Sequence, residues 1–317
     1  MIRSKLYFDS ACLLLVFSLI TLCPSARAQS FSQLKLNPKH VQWTDLSFHA
    51  KNFWVEVTTE VQLRPLAASE LDNFLPAPPR GNPIKPLTSE IADMTILTTI
   101  DPSFRSPVSL YSRIWFDPTN ASILGRVMLR RGEDDFKKIY RFTDRGVFRH
   151  QLEPKDKQEA ALDPEKWTAI KDSFYPYDLT RLECSGVTEP SILIYIINAA
   201  AISKINDPLS LCAFGKRQLH RVTVQREGTY PVSANYIEKR QQDEIRKAER
   251  VSAIKIAVKA EPLESDLNTV ENFSFMGFRN DIFIYIDPAS QLPVQVSGNI
   301  PTVGKTYLKL RECQTKR

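Results

Sequence analysis

The stretch that decides the fold lies near the C-terminus: "IFIYIDPASQLPVQVSGNIPTVGKTYLKL", residues 282–310. Three runs of aliphatic, β-branched and aromatic residues are broken first at Asp-Pro and then at Asn-Ile-Pro. Proline fixes one backbone dihedral and has no N–H for a ladder, so each break ends a strand and turns the chain. The spacing predicts a β-meander of three antiparallel strands. Side chains alternate across a strand, so Ile282, Ile284 and Ile286 share one face, and Phe283 and Tyr285 the other. On the second strand Val294 and Val296 define an inner side, and Gln295 and Ser297 a solvent side.

The same grammar runs through most of the chain. "LSFHAKNFWVEVTTEVQLRPL" (46–66) alternates with period two, and five prolines in "LPAPPRGNPIKPLTSE" (75–90) make the next segment a loop. "MTILTTI" (94–100), "SLYSRIWF" (109–116), "ILGRVMLRR" (123–131), "KKIYRFT" (137–143) and "GVFRHQLEP" (146–154) are short, β-rich and bounded by turn residues. The middle differs. "DPEKWTAIKDSFY" (163–175) opens on Asp then Pro, and "TEPSILIYIINAAAISKI" (188–205) opens on Thr with Pro close behind. Both carry helix-start signals, and the second is apolar nearly all round, which requires packing against something large. Strands return with "LSLCAF" (209–214), "QLHRVTVQ" (218–225) and "VSAIKIAVKA" (251–260), leaving 228–250 as a polar excursion or a short surface helix.

Strands, two helices, then strands predict one α+β domain: a curved antiparallel β-sheet with two central helices packed on one face. Its parts are N-terminal strands over 29–160, helices over 161–205 and C-terminal strands over 206–317. The chain also echoes itself: "RIWFDPTNASILGRVML" (113–129) and "IFIYIDPASQLPVQVSG" (282–298) both set Asp-Pro between two strands. We read this as one hairpin chemistry used twice.

Residues 1–28 have the build of a cleaved secretory signal. Arg3 and Lys5 precede the apolar "ACLLLVFSLITL" (11–22), and "ARA" (26–28) places small residues before Gln29. Leu22 and Pro24 around Cys23 argue against lipidation. A periplasmic or secreted protein is expected, with no transmembrane segment after cleavage. The net charge of +6 falls to +4 without the signal's three bases and one acid, and acids and bases are interspersed. Nothing points to nucleic acid. Cys184, Cys212 and Cys313 remain after cleavage. In an oxidising compartment that predicts one disulfide, Cys184 with Cys212, where the helices return to the sheet.

Catalytic motifs are missing: no G-x-S-x-G, H-E-x-x-H, phosphate-binding loop or dinucleotide fingerprint occurs. The four histidines are scattered, and no cofactor or metal site is expected. Glu133, Asp134 and Asp135 fit a polar hairpin tip. Asp117 and Asp287 each precede proline, so turn formation accounts for both. Phe174, Tyr175 and Tyr177 fit packing on the sheet better than a binding groove. The sharper site hypothesis is the apolar helix. Ile192, Tyr195 and Ile196, facing Ile254, Ile256, Val294 and Val296, form either closed core or one wall of a ligand cavity.

"LSLCAFGKRQLHRVTVQREG", "VSAIKIAVKA" and "FIYIDPASQLPVQVSGNIPTVGKTYLKL" together resemble the C-terminal half of exported bacterial proteins grouped as domain of unknown function 3108. The shared features are a Gly-Lys-Arg turn after a strand ending in Phe, an aliphatic strand, and an Asp-x-x-x-x-Leu-Pro-Val hairpin leading to a final strand. The match spans 170–317; this chain departs from it at 228–250 and at Cys212. The resemblance implies an envelope protein without assigned activity. It also implies a fold similar to the open half-barrels of lipoprotein carriers of the LolA and LolB type, in which a curved sheet encloses an apolar cavity.

Three functions follow in order of expectation. The first is non-enzymatic binding of an apolar small molecule or lipid. The second is an envelope assembly factor that meets a protein partner through sheet edges and the 66–90 loop. The third is an enzyme with an unfamiliar site. An apolar cavity above about 300 Å³ favours the first, a large exposed apolar patch the second, and a cleft joining a histidine to a carboxylate the third.

Overall fold

A computed structural model describes residues 34–204, 206–241, 243–264, 273–301 and 303–316. The expected signal, with its cleavage before Gln29, lies outside the described residues. The chain forms β1 (Trp43–Lys51), β2 (Val55–Ala67), β3 (Glu90–Pro102), β4 (Val108–Phe116), β5 (Ile123–Arg131), β6 (Phe136–Thr143), β7 (Gly146–Glu153), α1 (Lys157–Ala160) and β8 (Ala169–Pro176). It continues with α2 (Leu193–Ala199), β9 (Leu209–Phe214), β10 (Leu219–Arg240), β11 (Asp243–Pro262), β12 (Asn280–Ile286), β13 (Pro293–Ile300) and β14 (Gly304–Thr315). No described helix is long and apolar enough to cross a membrane.

All fourteen strands join one sheet in the order β8-β7-β6-β5-β4-β3-β2-β1-β14-β13-β12-β11-β10-β9. In that order every strand lies beside its neighbour in sequence except at β1–β14, and β8 and β9 form the two edges, so sequential pairings build each half and one long-range pairing joins them. The sheet is curved and barrel-like. Its edge strands approach through side chains: Tyr175 on β8 lies 5.9 Å, centroid to centroid, from Phe214 on β9. The opening meander is β12–β13–β14, with Ile284, Val296 and Leu308 aligned across it.

The two Asp-Pro turns have the same geometry. The Asp117 carbonyl accepts from the Ala121 N–H at 2.8 Å, its N–H donates to the Ser122 carbonyl, and its carboxylate accepts from the Thr119 N–H. Asp287 repeats each bond with Gln291, Leu292 and Ala289. Ala121 and Gln291 take the left-handed conformation at φ 58° and 60°, and a register shift follows in each partner strand. Both aspartates are therefore committed to turns. α2 lies between the turns and bonds to both. The Tyr195 hydroxyl donates to the Pro118 carbonyl at 2.7 Å, and the Asn198 amide to the Gln291 carbonyl at 2.7 Å. Asn198 also accepts from the Trp43 indole N–H at 2.9 Å. All seven residues of α2 are buried, so the helix plugs the end of the sheet where the Asp-Pro turns lie.

The expected disulfide is present, linking Cys184 to Cys212 with Cα atoms 6.0 Å apart. It pins the segment before α2 to β9, where the Thr188 N–H donates to the Cys212 carbonyl and the Phe214 N–H to that of Thr188. The Ile123 N–H donates to Val187 on the same segment, so this crossing ties β9 to β5. Cys313 is the free, buried thiol; burial, with Glu238 and Glu312 nearby, pushes its pKa up to about 12.

Four expectations need correction. Residues 163–175 are not a helix: Asp163-Pro164 starts a single 3-10 turn, Pro164–Lys166, and the chain then becomes edge strand β8. Trp167, whose indole N–H donates to the Glu159 carbonyl, ends the turn, and cross-strand pairs such as Phe148 with Phe174 outweigh the capping signal. Residues 188–205 hold only two turns of α-helix. Pro190 starts in a 3-10 turn, and Ala201 closes the helix at φ 51°. The stretch 228–250 is neither loop nor helix but the outer half of a long β10–β11 hairpin. Val232, Ala234, Tyr236 and Glu238 are buried in alternation, and Ile237–Lys239 pairs in parallel with β14. A bulge at Gly228, φ 124°, marks where the hairpin changes course. Finally, Gln295 and Ser297 are buried rather than solvated. Gln295 lies in register between Tyr285 and Lys309, and Ser297 between Phe283 and Tyr307, so longer neighbours cover these short side chains.

The register makes Val296→Asp and Gln295→Asp a matched pair. Val296 is fully enclosed among Ile284 and Leu308, so a carboxylate there loses its water without gaining a partner. Denaturant unfolding should show a loss of about 4 kcal/mol or more at Val296, against about 1 kcal/mol at Gln295 beside Lys309. Equal losses would contradict the assigned faces.

Candidate ligand cavity

Of the two readings left open for the seven candidate residues, closed core or one wall of a cavity, the structure places them in core. Ile192, Tyr195, Ile196, Ile254, Ile256, Val294 and Val296 are all buried in one apolar cluster around α2, and none lines a second, open space that lies elsewhere. α2 fills the turn end of the sheet. Toward the opposite strand ends, on the β2–β7 side, the space is left open.

That space measures about 640 Å³. Its floor is the inward row of successive strands: Val57, Ile96 and Ile100, Val108 and Leu110, then Met128. The row is continuous because Ile100 pairs with Val57 and Val108, and Met128 with Ser112 and Lys138. Met276, before β12, and Ile300, at the end of β13, add to the apolar part. The remaining wall is cationic, with Arg126 and Arg130 on β5, Lys138 on β6, Arg149 on β7, Lys216 and Arg217 in the β9–β10 turn, and Arg279 before β12. Among the described residues, Glu189 is the only acidic side chain in the lining.

Arg126 and Glu189 stand where filled core meets cavity. Arg126 Nη1 donates to Glu189 Oε1 at 2.5 Å, both groups are buried, and the guanidinium lies over the Tyr140 ring. Glu189 also accepts from the Ser191 N–H at the entrance to α2. The pair fastens the helix plug to β5, and loss of either partner leaves a buried charge, which typically costs about 3–5 kcal/mol. The matching hairpin of the other half carries no such charge: Arg126 and Tyr140 occupy the place that Val296 and Leu308 fill there.

Lys138 is set apart from these pairs. Its ammonium rests 3.7 Å from the Phe136 ring centroid. Burial, then the nearby Arg149, with further repulsion from Arg126 and Lys216 partly offset by Glu153, pulls its pKa down to about 8. Arg149 is buried, donates from Nη2 to Ser173 at 3.1 Å, and lies over Tyr175. Its Nε, like that of Arg126, has no acceptor among the described residues.

Histidine chemistry is not assembled in this cavity. His49 pairs with Glu56 and His150 with Asp172 toward the surface, and the ring of His40 meets the Ala199 carbonyl. His220 borders a separate depression of about 380 Å³. Among the described residues, no group of three or more histidines, cysteines, aspartates or glutamates is placed to hold a metal ion. Tyr175 and Tyr177 pack as expected, the Tyr177 hydroxyl donating to the Thr143 carbonyl.

Beside the cavity, the β1–β2 and β3–β4 turns expose Phe53, Trp54 and Phe104, with successive ring centroids 4.8 and 5.7 Å apart. These turns adjoin the strand ends bearing Val57, Ile100 and Val108. Sequence reasoning anticipated a cavity but missed its place and lining, and it missed the aromatic cluster. The available signal was the basic and apolar alternation Arg126-x-Met128-x-Arg130 followed by Phe136-x-Lys138, which reads as ordinary surface until the sheet's concave side is known.

No family model matches the chain, and no curated protein matches it. Among solved structures it is similar to a β-barrel-like protein of domain of unknown function 1849 from Brucella abortus. That likeness has a TM-score of 0.43 and 8% identity, covering 90% of this chain and 99% of the other.

Lys138 offers a direct check on the cavity's electrostatics. An unfolded lysine keeps its proton to about 10.5, whereas Lys138 in the fold releases it near 8. Between those values the unfolded chain binds the extra proton, so the Lys138 contribution to stability rises with pH across the window. A Cε NMR titration should place its midpoint near 8, and Lys138→Met should flatten that part of the pH–stability curve. A midpoint near the ordinary lysine value would contradict the repulsive wall.

Proposed function

We propose that this chain is an exported, non-enzymatic binding protein of the cell envelope, taking an apolar or lipid-like ligand into the cavity of β2–β7. The observation that carries this reading is the apolar floor of a cavity of about 640 Å³, a volume within the ~300–1,000 Å³ of small-molecule sites. Export is supported by the build of residues 1–28 and is consistent with the disulfide. The resemblance of 170–317 to domain of unknown function 3108 agrees with an envelope role. A binding role, rather than catalysis, rests on the recognised catalytic motifs missing from the sequence and on a lining in which no histidine faces a carboxylate.

A second reading, an interaction factor, is favoured by one observation: the exposed Phe53, Trp54 and Phe104 at the β1–β2 and β3–β4 turns. Aromatic rings held in water commonly mark contact with a partner or a membrane surface. The two readings separate by which residues matter.

Native mass spectrometry of protein taken from the periplasm should show a co-purifying lipid-like mass. Leu110→Trp, which fills the floor, should remove it and weaken a neutral naphthylamine probe at least tenfold. Trp54→Ser should leave probe binding intact. Unaltered probe binding in folded Leu110→Trp would contradict the cavity reading.

A further inference from the structure

We infer that the β1–β2 and β3–β4 turns form a membrane-docking tip: Phe53, Trp54 and Phe104 enter the interfacial layer of a phospholipid bilayer, and Arg105 meets the lipid phosphates. This goes beyond the proposed binding role and does not rest on it.

The three rings stand in water. Phe53 is 81% exposed, Phe104 78% and Trp54 60%, so they project from the surface rather than line a groove. They come from two turns, yet they touch. Phe53 meets Trp54 edge-on with centroids 4.8 Å apart, and Trp54 meets Phe104 at 5.7 Å. An exposed aromatic cluster marks a contact surface. Tryptophan in particular favours the boundary between water and hydrocarbon, where its ring is buried while its N–H keeps a polar partner.

Two further observations select a bilayer as the occupant. The first is the state of the backbone. Lipid offers few partners to N–H and C=O groups, so a segment that enters it must satisfy them itself. The Asn52 side-chain oxygen accepts from the N–H groups of Trp54 and Val55 at 2.8 and 2.9 Å. The Ser103 N–H donates to the Trp54 carbonyl at 2.9 Å, and its hydroxyl to the Phe53 carbonyl at 3.3 Å. The Asn52 N–H donates to the Val55 carbonyl. These bonds staple the two turns into one tip whose polar groups are turned on each other. A protein partner makes no such demand, because it brings hydrogen bonds of its own.

The second observation is charge. Residues 52–54 read Asn-Phe-Trp and residues 103–106 read Ser-Phe-Arg-Ser, so Arg105 is the single charged side chain of the tip. It is exposed, next to Phe104. A guanidinium pairs well with phosphate, and no carboxylate of the tip has to be carried into the lipid. Glu56 and Asp101 stand opposite each other, two residues behind the turns on β2 and β3. Lys51 lies beside both and is bonded to Glu56 at 2.6 Å. The tip also stands at the end of the sheet that holds the cavity, since Val57 and Ile100 on the strands behind it belong to the apolar floor. Docking therefore sets that end of the sheet against lipid.

The experiment uses the chain with residues 1–28 removed and vesicles of phosphatidylethanolamine and phosphatidylglycerol. Trp43, Trp115 and Trp167 are no more than 2% exposed, so Trp54 reports the tip. The protein should sediment with the vesicles. Trp54 emission should move to shorter wavelength, and bromine atoms placed high on the acyl chains should quench it more than bromines near the chain ends. Phe53→Ser combined with Phe104→Ser should weaken vesicle binding about tenfold or more, and Arg105→Gln should weaken it several-fold. The thermal unfolding midpoint should not change in either variant, because these side chains are exposed. Protein left in the supernatant, or unaltered vesicle binding by the folded Phe53→Ser, Phe104→Ser variant, would overturn the inference. A dimer formed without lipid, dissolved by the double variant while the parent ignores vesicles, would overturn it too, because the rings would then face a second copy. Binding of the neutral naphthylamine probe, measured in the same samples, reads the cavity separately, so failure of docking and failure of the binding role are told apart.

Discussion

One constraint organises this molecule: a fourteen-stranded antiparallel sheet that curves must fill its concave side, and a two-turn helix is too small to fill all of it. α2 occupies the end where the Asp-Pro turns lie, bonded to both through Tyr195 and Asn198. The rest of the concave face must be covered by side chains of its own or stay open. In the half built from β10–β14 the meander rows Ile284–Val296–Leu308 close around the helix. In the β2–β7 half the inward row includes Arg126, Arg130, Lys138 and Arg149, which cannot pack against one another, and the space remains a cavity. The buried Arg126–Glu189 pair marks the change from one regime to the other.

The crossing segment 184–192 gives that arrangement its rigidity. The disulfide holds it to β9, the Ile123–Val187 hydrogen bond holds it to β5, and Glu189 holds it to Arg126. It spans the two halves of the sheet independently of the β1–β14 pairing, so the curvature is fixed from the inside as well as by the strand ladder. The near-identical turns at Asp117 and Asp287 give the helix two matching seats. The difference between the halves then lies in side chains rather than in backbone, which lets one half be core and the other hold a cavity.

Much of the fold was legible because strands and turns announce themselves locally. The meander, the Asp-Pro hairpins and the disulfide all follow from short-range chemistry. The errors share a cause, which is tertiary context overriding a local signal. Asp163-Pro164 is a sound helix start, yet the pairing of β8 with β7 takes the residues that follow. The polar run 228–250 hides its alternation because only Val232, Ala234 and Tyr236 mark the covered side. Gln295 and Ser297 look solvated until the longer side chains beside them are placed. The cavity was illegible for a related reason. An arginine on a strand reads as a solvent residue, and only the closed curvature of the sheet turns Arg126, Lys138 and Arg149 inward. The apolar helix drew attention as a cavity wall because it had to be buried; in the fold it is the plug that leaves the cavity at the other end.

The central claim is that the open space of β2–β7 is a binding site and not a packing fault, and a crystal structure of the chain grown with a single-chain fatty carboxylate tests it most directly. The account predicts electron density for the acyl chain along Ile96, Leu110 and Met128. Density for the ligand elsewhere, or a cavity closed by the protein's own side chains around Lys138, would contradict it.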